Sequence, residues 1–337
     1  TSMRLQRIRS LLTTGYGITF TVLGSALLLF WRPTATSVIL AHCVSMLACF
    51  VIGLYWIRTS QHLLPTNTSA DRFGASFYSQ VIPFAMAVWT TNALANLFPL
   101  VDRYMIVTFG GHDPETALSI VGQYHVARLI PVFMVSLAQV LHATLLPYLS
   151  HDWESGDRTQ VSQRLDSFLR LFGLGFYTTA ALFLAFGPWL VELLVGDKFD
   201  MGLGVLSVTL TYGVFTSLFI LAQSYLWCLQ KGWLVNFGLG IALILGVGLN
   251  LLLLPRFGLS GAAMASCAGM IFMLVYVLVC SRMTGMHFRL STGLVALMPL
   301  TLLLGPVLAI ITLCCAVVVA ATSNVLLTRA DKRQAAE

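Results

Sequence analysis

The sequence predicts an all-α polytopic membrane protein with about ten transmembrane helices. Three observations carry that reading. Of 337 residues, 58% are hydrophobic and only 9% charged, with mean hydropathy +0.85, whereas a folded soluble domain carries about 25% charged residues. The apolar residues fall in continuous runs of about 20, the length that crosses about 30 Å of hydrocarbon. The basic residues divide unequally between alternate loops. Runs without period-two alternation exclude a transmembrane β-barrel. Composition also excludes a disordered tail, and seven cysteines, sparse and odd in number, exclude a secreted disulfide scaffold.

The expected spans are 11–31, 37–57, 81–109, 117–149, 168–195, 203–229, 234–254, 259–281, 291–307 and 309–328. Arg4, Arg7 and Arg9 ahead of the first run resemble a signal peptide. The run is longer than a usual signal core, however, and holds Gly15, Gly17 and Gly24, so it reads as a span. The chain begins Thr1-Ser2-Met3, which leaves open a fragment or translation from Met3. The third and fourth spans are long, implying tilt or extension past the surface, and Pro83 and Pro99 are kink points in the third. The stretch 150–167, with His151, Asp152, Glu154, Asp157 and Arg158, reads as a solvated, helix-forming connector. Residues 291–328 are too many for one span, and Gly305-Pro306 divides them.

The basic residues test the layout. With the N-terminus and every second loop on one side, that side holds fourteen of the nineteen Lys and Arg, including Arg58, Arg164, Arg170, Arg282 and Arg289. The other side holds Arg32, Lys198 and Arg256, while Arg103 and Arg128 fall within spans. The positive-inside rule then places both termini in the cytoplasm. The net charge of +6 thereby becomes an orientation signal and implies no nucleic-acid partner.

Chemistry of the enzymatic kind is missing. No H-E-x-x-H, paired C-x-x-C or G-x-x-x-x-G-K-[ST] occurs, so neither a metal nor a cofactor is expected. Gly238-Leu239-Gly240-Ile241-Ala242-Leu243 starts like a dinucleotide loop, but it has Leu243 in place of the last glycine and lies inside a span. Close helix packing explains it better. All seven cysteines lie in apolar runs, as small hydrophobes do. The outer loops are a few residues each, too short for a membrane-bound transferase or polymerase site. The chain is therefore not expected to be an enzyme.

Ionisable residues at membrane depth are the informative ones, because a charge there costs several kcal/mol unless paired or hydrated. The third span carries Asn92, Asn96, Asp102 and Arg103; the fourth carries His125, Arg128, Ser136, Gln139 and His142. At about 100° per residue, the latter five occupy about a third of one helix circumference. Such a polar face looks at a hydrated cavity or at polar helices. Arg128 lies about 11 residues in from the outer end, near mid-membrane. Two readings compete for it: an internal ion pair with Asp102, and a cavity-lining contact to a ligand. The candidate substrate-binding set is Arg128, Gln139, His125, His142, Arg103 and Asp102. Asp102 is weighed chiefly as a structural partner, Asn92 and Asn96 as helix–helix contacts, and Glu192, Asp197, Lys198 and Asp200 as solvated. An Arg among helices without ATP machinery suits movement of an anionic head group, since its forked donors match phosphate oxygens.

These same residues carry a resemblance. Gly122-Gln123-Tyr124-His125-Val126-Ala127-Arg128-Leu129-Ile130-Pro131, running on to Leu145-Leu146-Pro147-Tyr148-Leu149-Ser150, resembles the eighth helix of the multidrug/oligosaccharidyl-lipid/polysaccharide (MOP) flippases. Pro83 with Asp102-Arg103-Tyr104-Met105-Ile106 resembles their seventh. Leu194-Val195-Gly196-Asp197-Lys198-Phe199 is similar to the family's LFGxxY/F turn. Asn250-Leu251, then Leu254-Pro255-Arg256-Phe257-Gly258-Leu259-Ser260-Gly261-Ala262-Ala263, is similar to its LNxxLIPxxGxxGAA stretch. The nearest branch is the Wzx-type oligosaccharide flippases of polysaccharide biosynthesis.

The resemblance implies the C-terminal part of a fourteen-helix, MATE-like fold with both termini cytoplasmic, lacking the first four helices. Residues 1–60 would be a remnant of the N-terminal lobe, 78–283 the C-terminal six-helix lobe, 288–328 the terminal pair and 329–337 a cytoplasmic tail. The implied function is flipping of undecaprenyl-diphosphate-linked oligosaccharide for O-antigen or exopolysaccharide. The implied partners are that lipid-linked oligosaccharide and membrane lipids, with room for the polysaccharide polymerase machinery. Related lipid II flippases carry an ADRL…P stretch whose Arg lines the cavity. Ala127-Arg128-Leu129 with Pro131 resembles it, without the acidic residue and with a closer proline. The alternatives are an ion-coupled small-molecule exporter, which would favour carboxylates, and a truncated or accessory membrane subunit.

Overall fold

The computed structural model describes residues 2–59, 75–111, 113–195 and 200–322. Among them there are no strands, and the chain is an all-α polytopic membrane protein. The helices are α1 (Ser2–Phe30), α2 (Ala35–Thr59), α3 (Ala75–Phe109), α4 (Pro114–Ala127), α5 (Leu129–Glu154), α6 (Arg158–Val195) and α7 (Asp200–Gly204). They continue with α8 (Leu206–Ala222), α9 (Ser224–Cys228), α10 (Gly232–Phe257), α11 (Leu259–Met283) and α12 (Leu290–Leu297). A 3-10 segment (Met298–Leu304) and α13 (Pro306–Thr322) follow. Among the described residues seven helices are long and apolar enough to cross a membrane, and three shorter apolar helices cover 14–30, 290–304 and 306–319. Among the described residues each of the ten expected spans falls on helix, residues 323–328 of the last lying outside them. Large apolar side chains point outward, Phe30 at 88% exposure and Ile244 at 75%, as lipid-facing surfaces require and soluble domains avoid.

The chain divides into two units, residues 1–77 and 78–337. In the first, α1 and α2 pack together where Gly24 lets Ala41 approach. The Tyr16 hydroxyl and His42 Nδ1 share a hydrogen bond of 2.6 Å. In the second, α8 is the central helix, buried along nearly its whole length and flanked by α5, α6 and α11. The 3-10 segment packs on α6 and α8, and α13 on α6 and the 3-10 segment. The expected close packing at Gly238 is present: a Cβ there would lie 2.5 Å from the Tyr276 ring of α11. Gly305, at φ +106°, takes a backbone conformation that favours glycine and divides the last two apolar segments where expected.

Three expectations need correction. The fourth span, 117–149, is not one continuous helix; it breaks at Arg128 into α4 and α5. Asn92 and Asn96 do not join helices; each donates its amide to its own helix, to Val88 O at 3.0 Å and Asn92 O at 2.8 Å. Thr91 does that work, donating to Asn236 Oδ1 of α10 at 2.5 Å, while Asn236 Nδ2 donates to Ala87 O at 3.0 Å. The 150–167 connector is nearly all helix, as expected, but not solvated throughout: Asp152 is buried against Arg164, Oδ2 to Nη1 2.7 Å. Asp197, Lys198 and the tail 329–337 lie outside the described residues, and so do the side chains of Glu192 and Asp200.

Candidate functional site

The break at Arg128 has a local cause. Pro131 has no N–H, so Ala127 O loses the donor that a continuous helix would supply. The backbone tightens instead: Arg128 N donates to His125 O at 3.1 Å, with Arg128 at φ −93°, ψ −1°. Thr209 of α8 turns its hydroxyl to Ala127 O at 3.2 Å, sharing its one proton with Leu206 O of its own helix at 3.0 Å. Alongside, Gly213 lets α8 approach Pro131 so closely that a Cβ would stand 2.9 Å from Pro131 Cα.

Arg128 is thereby set at the end of α4 and buried. Its Nη1 donates to Asp102 Oδ2 of α3 at 3.2 Å. Its guanidinium carbon lies 4.5 Å from the Tyr212 ring centroid and 5.3 Å from that of Tyr124. Asp102, also buried, accepts from Ser266 Oγ of α11 at 2.6 Å and Asn250 Nδ2 of α10 at 3.4 Å. Removing two such ions from water costs several kcal/mol each. Mutual attraction, two neutral donors and two aromatic faces, each worth about 0.5–2 kcal/mol as a cation–π contact, offset that cost.

The cluster also anchors α3. Backbone-close packing joins α10 to α11 and α8 to α5, α6 and α11, whereas α3 reaches these helices chiefly through side chains. Among the described residues, Asp102 and the Thr91–Asn236 pair tie it by polar contacts to α4, α10 and α11 in the interior, and Arg103 meets His125 of α4 at the surface.

The other candidates are not gathered around Arg128. Arg103 Nη2 and His125 Nδ1 are 3.2 Å apart on an exposed surface, the guanidinium being the donor. His142, half-buried, shares a 2.7 Å hydrogen bond with Ser224 Oγ at the start of α9. Gln139 is exposed on α5, and Ser136 is exposed with its hydroxyl on Val132 O at 2.9 Å. The expected polar stripe is divided because the helix carrying it is divided.

Sequence reasoning missed Asn250, Ser266, Tyr124 and Tyr212 as neighbours of the charges. It counted Arg170 only among the basic residues of the cytoplasmic side. Arg170 is buried, with Nη2 3.3 Å from Asp166 Oδ2. A signal was available there, since Asp166 and Arg170 are four apart on one helix. No group of three or more His, Cys, Asp or Glu suited to a metal occurs among the described residues. What the central cluster does offer is a competition. Arg128 has five N–H donors, and an anion that takes them from Asp102 would leave the carboxylate with Ser266 and Asn250. Asn250 Oδ1 is buried without a donor among the described residues, so a proton or small cation there would be met by oxygens.

No family model matches the chain, and no solved structure matches it. A protein of Bacillus subtilis (strain 168), described as "Uncharacterized membrane protein YabM", is 24% identical over 237 residues. The match covers 66% of this chain and 42% of that protein. The chain therefore spans under half the length of this curated relative.

Proposed function

We propose that this multi-pass membrane protein moves a lipid-linked oligosaccharide across the bacterial cytoplasmic membrane without transforming it. In this reading the chain is the C-terminal part of a MOP-type flippase, with both termini in the cytoplasm. The observation that carries it is Arg128, buried at a proline-induced break between α4 and α5 and held by a single carboxylate. Discontinuous helices at mid-membrane are where transporters place substrate sites. The diphosphate displaces Asp102 from the guanidinium, with phosphate oxygens matched to its forked donors. Asp102 stays with Ser266 and Asn250, and the ion pair re-forms on release. The lipid tails remain in the bilayer.

The test is transfer of a fluorescent undecaprenyl-diphosphate oligosaccharide in proteoliposomes. Arg128→Gln and the double variant Asp102→Asn/Arg128→Gln are compared with the parent chain. The double variant carries no unpaired charge, so its insertion is retained and its transfer is lost. Transfer by the stably inserted double variant would overturn the assignment. A second reading, an ion-coupled small-molecule exporter, draws on Asp102 beside the unpaired Asn250 Oδ1. Dye efflux that stops in Asp102→Asn, with no oligosaccharide transfer by the parent chain, would favour it. A parent chain inert in both assays would favour an accessory subunit.

A further inference from the structure

A cleft of about 440 Å³ lies where α11 ends and α12 begins, a volume suited to a small-molecule group. Arg282, in the last turn of α11, and Arg289, just before α12, both line it. The other walls include Leu278, Val279, Phe288 and Leu290. Neither Arg282 nor Arg289 has an ion-pair partner among the described residues. No carboxylate is among the residues that line the cleft, and Asp166, which holds the backbone of this segment, is paired with Arg170. Asp166 also accepts from the Arg289 backbone N–H at 3.3 Å and from the Thr292 hydroxyl. A buried ion pair on α6 thus fixes the segment that bears Arg289 and leaves two positive charges facing the cleft.

The surroundings decide what kind of anion fits. Met283 is 82% exposed and Leu290 84% exposed, one beside each arginine. Apolar side chains so exposed at the end of a span face lipid, so the two guanidinium groups sit where head groups begin. We propose that this cleft binds the phosphate of an anionic phospholipid. Arg282 and Arg289 hold the phosphate oxygens, and Leu278, Val279 and Leu290 meet the glycerol and upper acyl chains. The site shares no residue with the Arg128 cluster, so it stands whether or not the chain moves an oligosaccharide.

The experiment is native mass spectrometry of the whole detergent-purified chain, offered phosphatidylglycerol and phosphatidylcholine at equal concentration. The parent chain retains phosphatidylglycerol preferentially. At about fivefold for each arginine near a membrane surface, Arg282→Gln/Arg289→Gln lowers that preference about thirtyfold, or about 2 kcal/mol. Arg282→Lys/Arg289→Lys keeps part of it, since charge remains while the forked geometry is lost. An unchanged preference in the Gln variant would overturn the proposal. Glycerol phosphate or inorganic phosphate binding as tightly as the lipid would overturn the lipid as occupant, because the apolar wall would then contribute nothing.

Discussion

The Thr209 hydroxyl sits 3.2 Å from Ala127 O, the carbonyl that Pro131 deprives of its helical donor. One side chain on α8 therefore completes the backbone of a neighbouring helix at the point where that helix breaks. Both partners are buried, so the bond has no ready replacement from water.

Thr209→Val keeps the shape and removes the donor. Interhelical hydrogen bonds within membranes average about 0.6 kcal/mol, with a maximum of about 1.7, so a loss of about 1 kcal/mol is expected in thermal unfolding of the purified chain. Pro131→Ala restores an N–H four residues after Ala127. In that background Thr209→Val should cost less, and the double-mutant cycle reads the coupling. Equal costs in both backgrounds would show that Thr209 does not serve the carbonyl Pro131 leaves open.

Asp102 and Arg128 cancel each other's charge, so losing one should cost more than losing both. Asp102→Asn leaves a buried guanidinium uncompensated, and such losses run to about 3–5 kcal/mol. Arg128→Gln exposes the carboxylate to a similar penalty. The double variant Asp102→Asn/Arg128→Gln should recover much of the stability, read as the denaturation midpoint of the three variants. Because Asp102 is also a buried polar attachment of α3, its loss should raise hydrogen exchange in α3 more than in α10 or α11.

Much of this was legible in the sequence because apolar runs of about 20 residues announce their own structure. Residues 81–109 and 259–281 needed no partner to be read as helices. The Asp102–Arg128 pair was legible as well, since the two lie at similar depth on adjacent spans. Asn250 and Ser266 were not, because they meet Asp102 through packing 148 and 164 residues away along the chain. The break at Arg128 was within reach, as a proline in a span frees the carbonyl four residues earlier. The burial of Arg170 was not legible, because its partner Asp166 is covered by residues 289–292, a contact that only the fold creates.

Gly213 tests the crossing of α5 and α8. Its missing side chain is what admits Pro131, with an added Cβ standing 2.9 Å from Pro131 Cα and 3.0 Å from its Cβ. Gly213→Ala should therefore destabilise the chain by about 1–3 kcal/mol through overpacking. Gly240→Ala is the control, since a Cβ there meets nothing within 4 Å and Ala favours helix over Gly. Its midpoint should be unchanged or higher.

Asp113 supplies the pH-dependent element outside the spans. It caps α4, with Thr116 N donating to Oδ2 at 3.1 Å, and hydrogen bonds from Thr116 hold its carboxyl below the usual carboxylate range. The sign follows from that depression. The cap's contribution is fully present above the ordinary carboxylate pKa and is lost as pH falls through the lower folded value. Hydrogen exchange in the first turn of α4 should accelerate, relative to the rest of the chain, across that acidic window. Asp113→Asn keeps a capping oxygen without a titrating charge, so its first turn should show no such acid transition. Parallel acid profiles in the two proteins would mean that the carboxylate is not what secures the start of the helix that ends at Arg128.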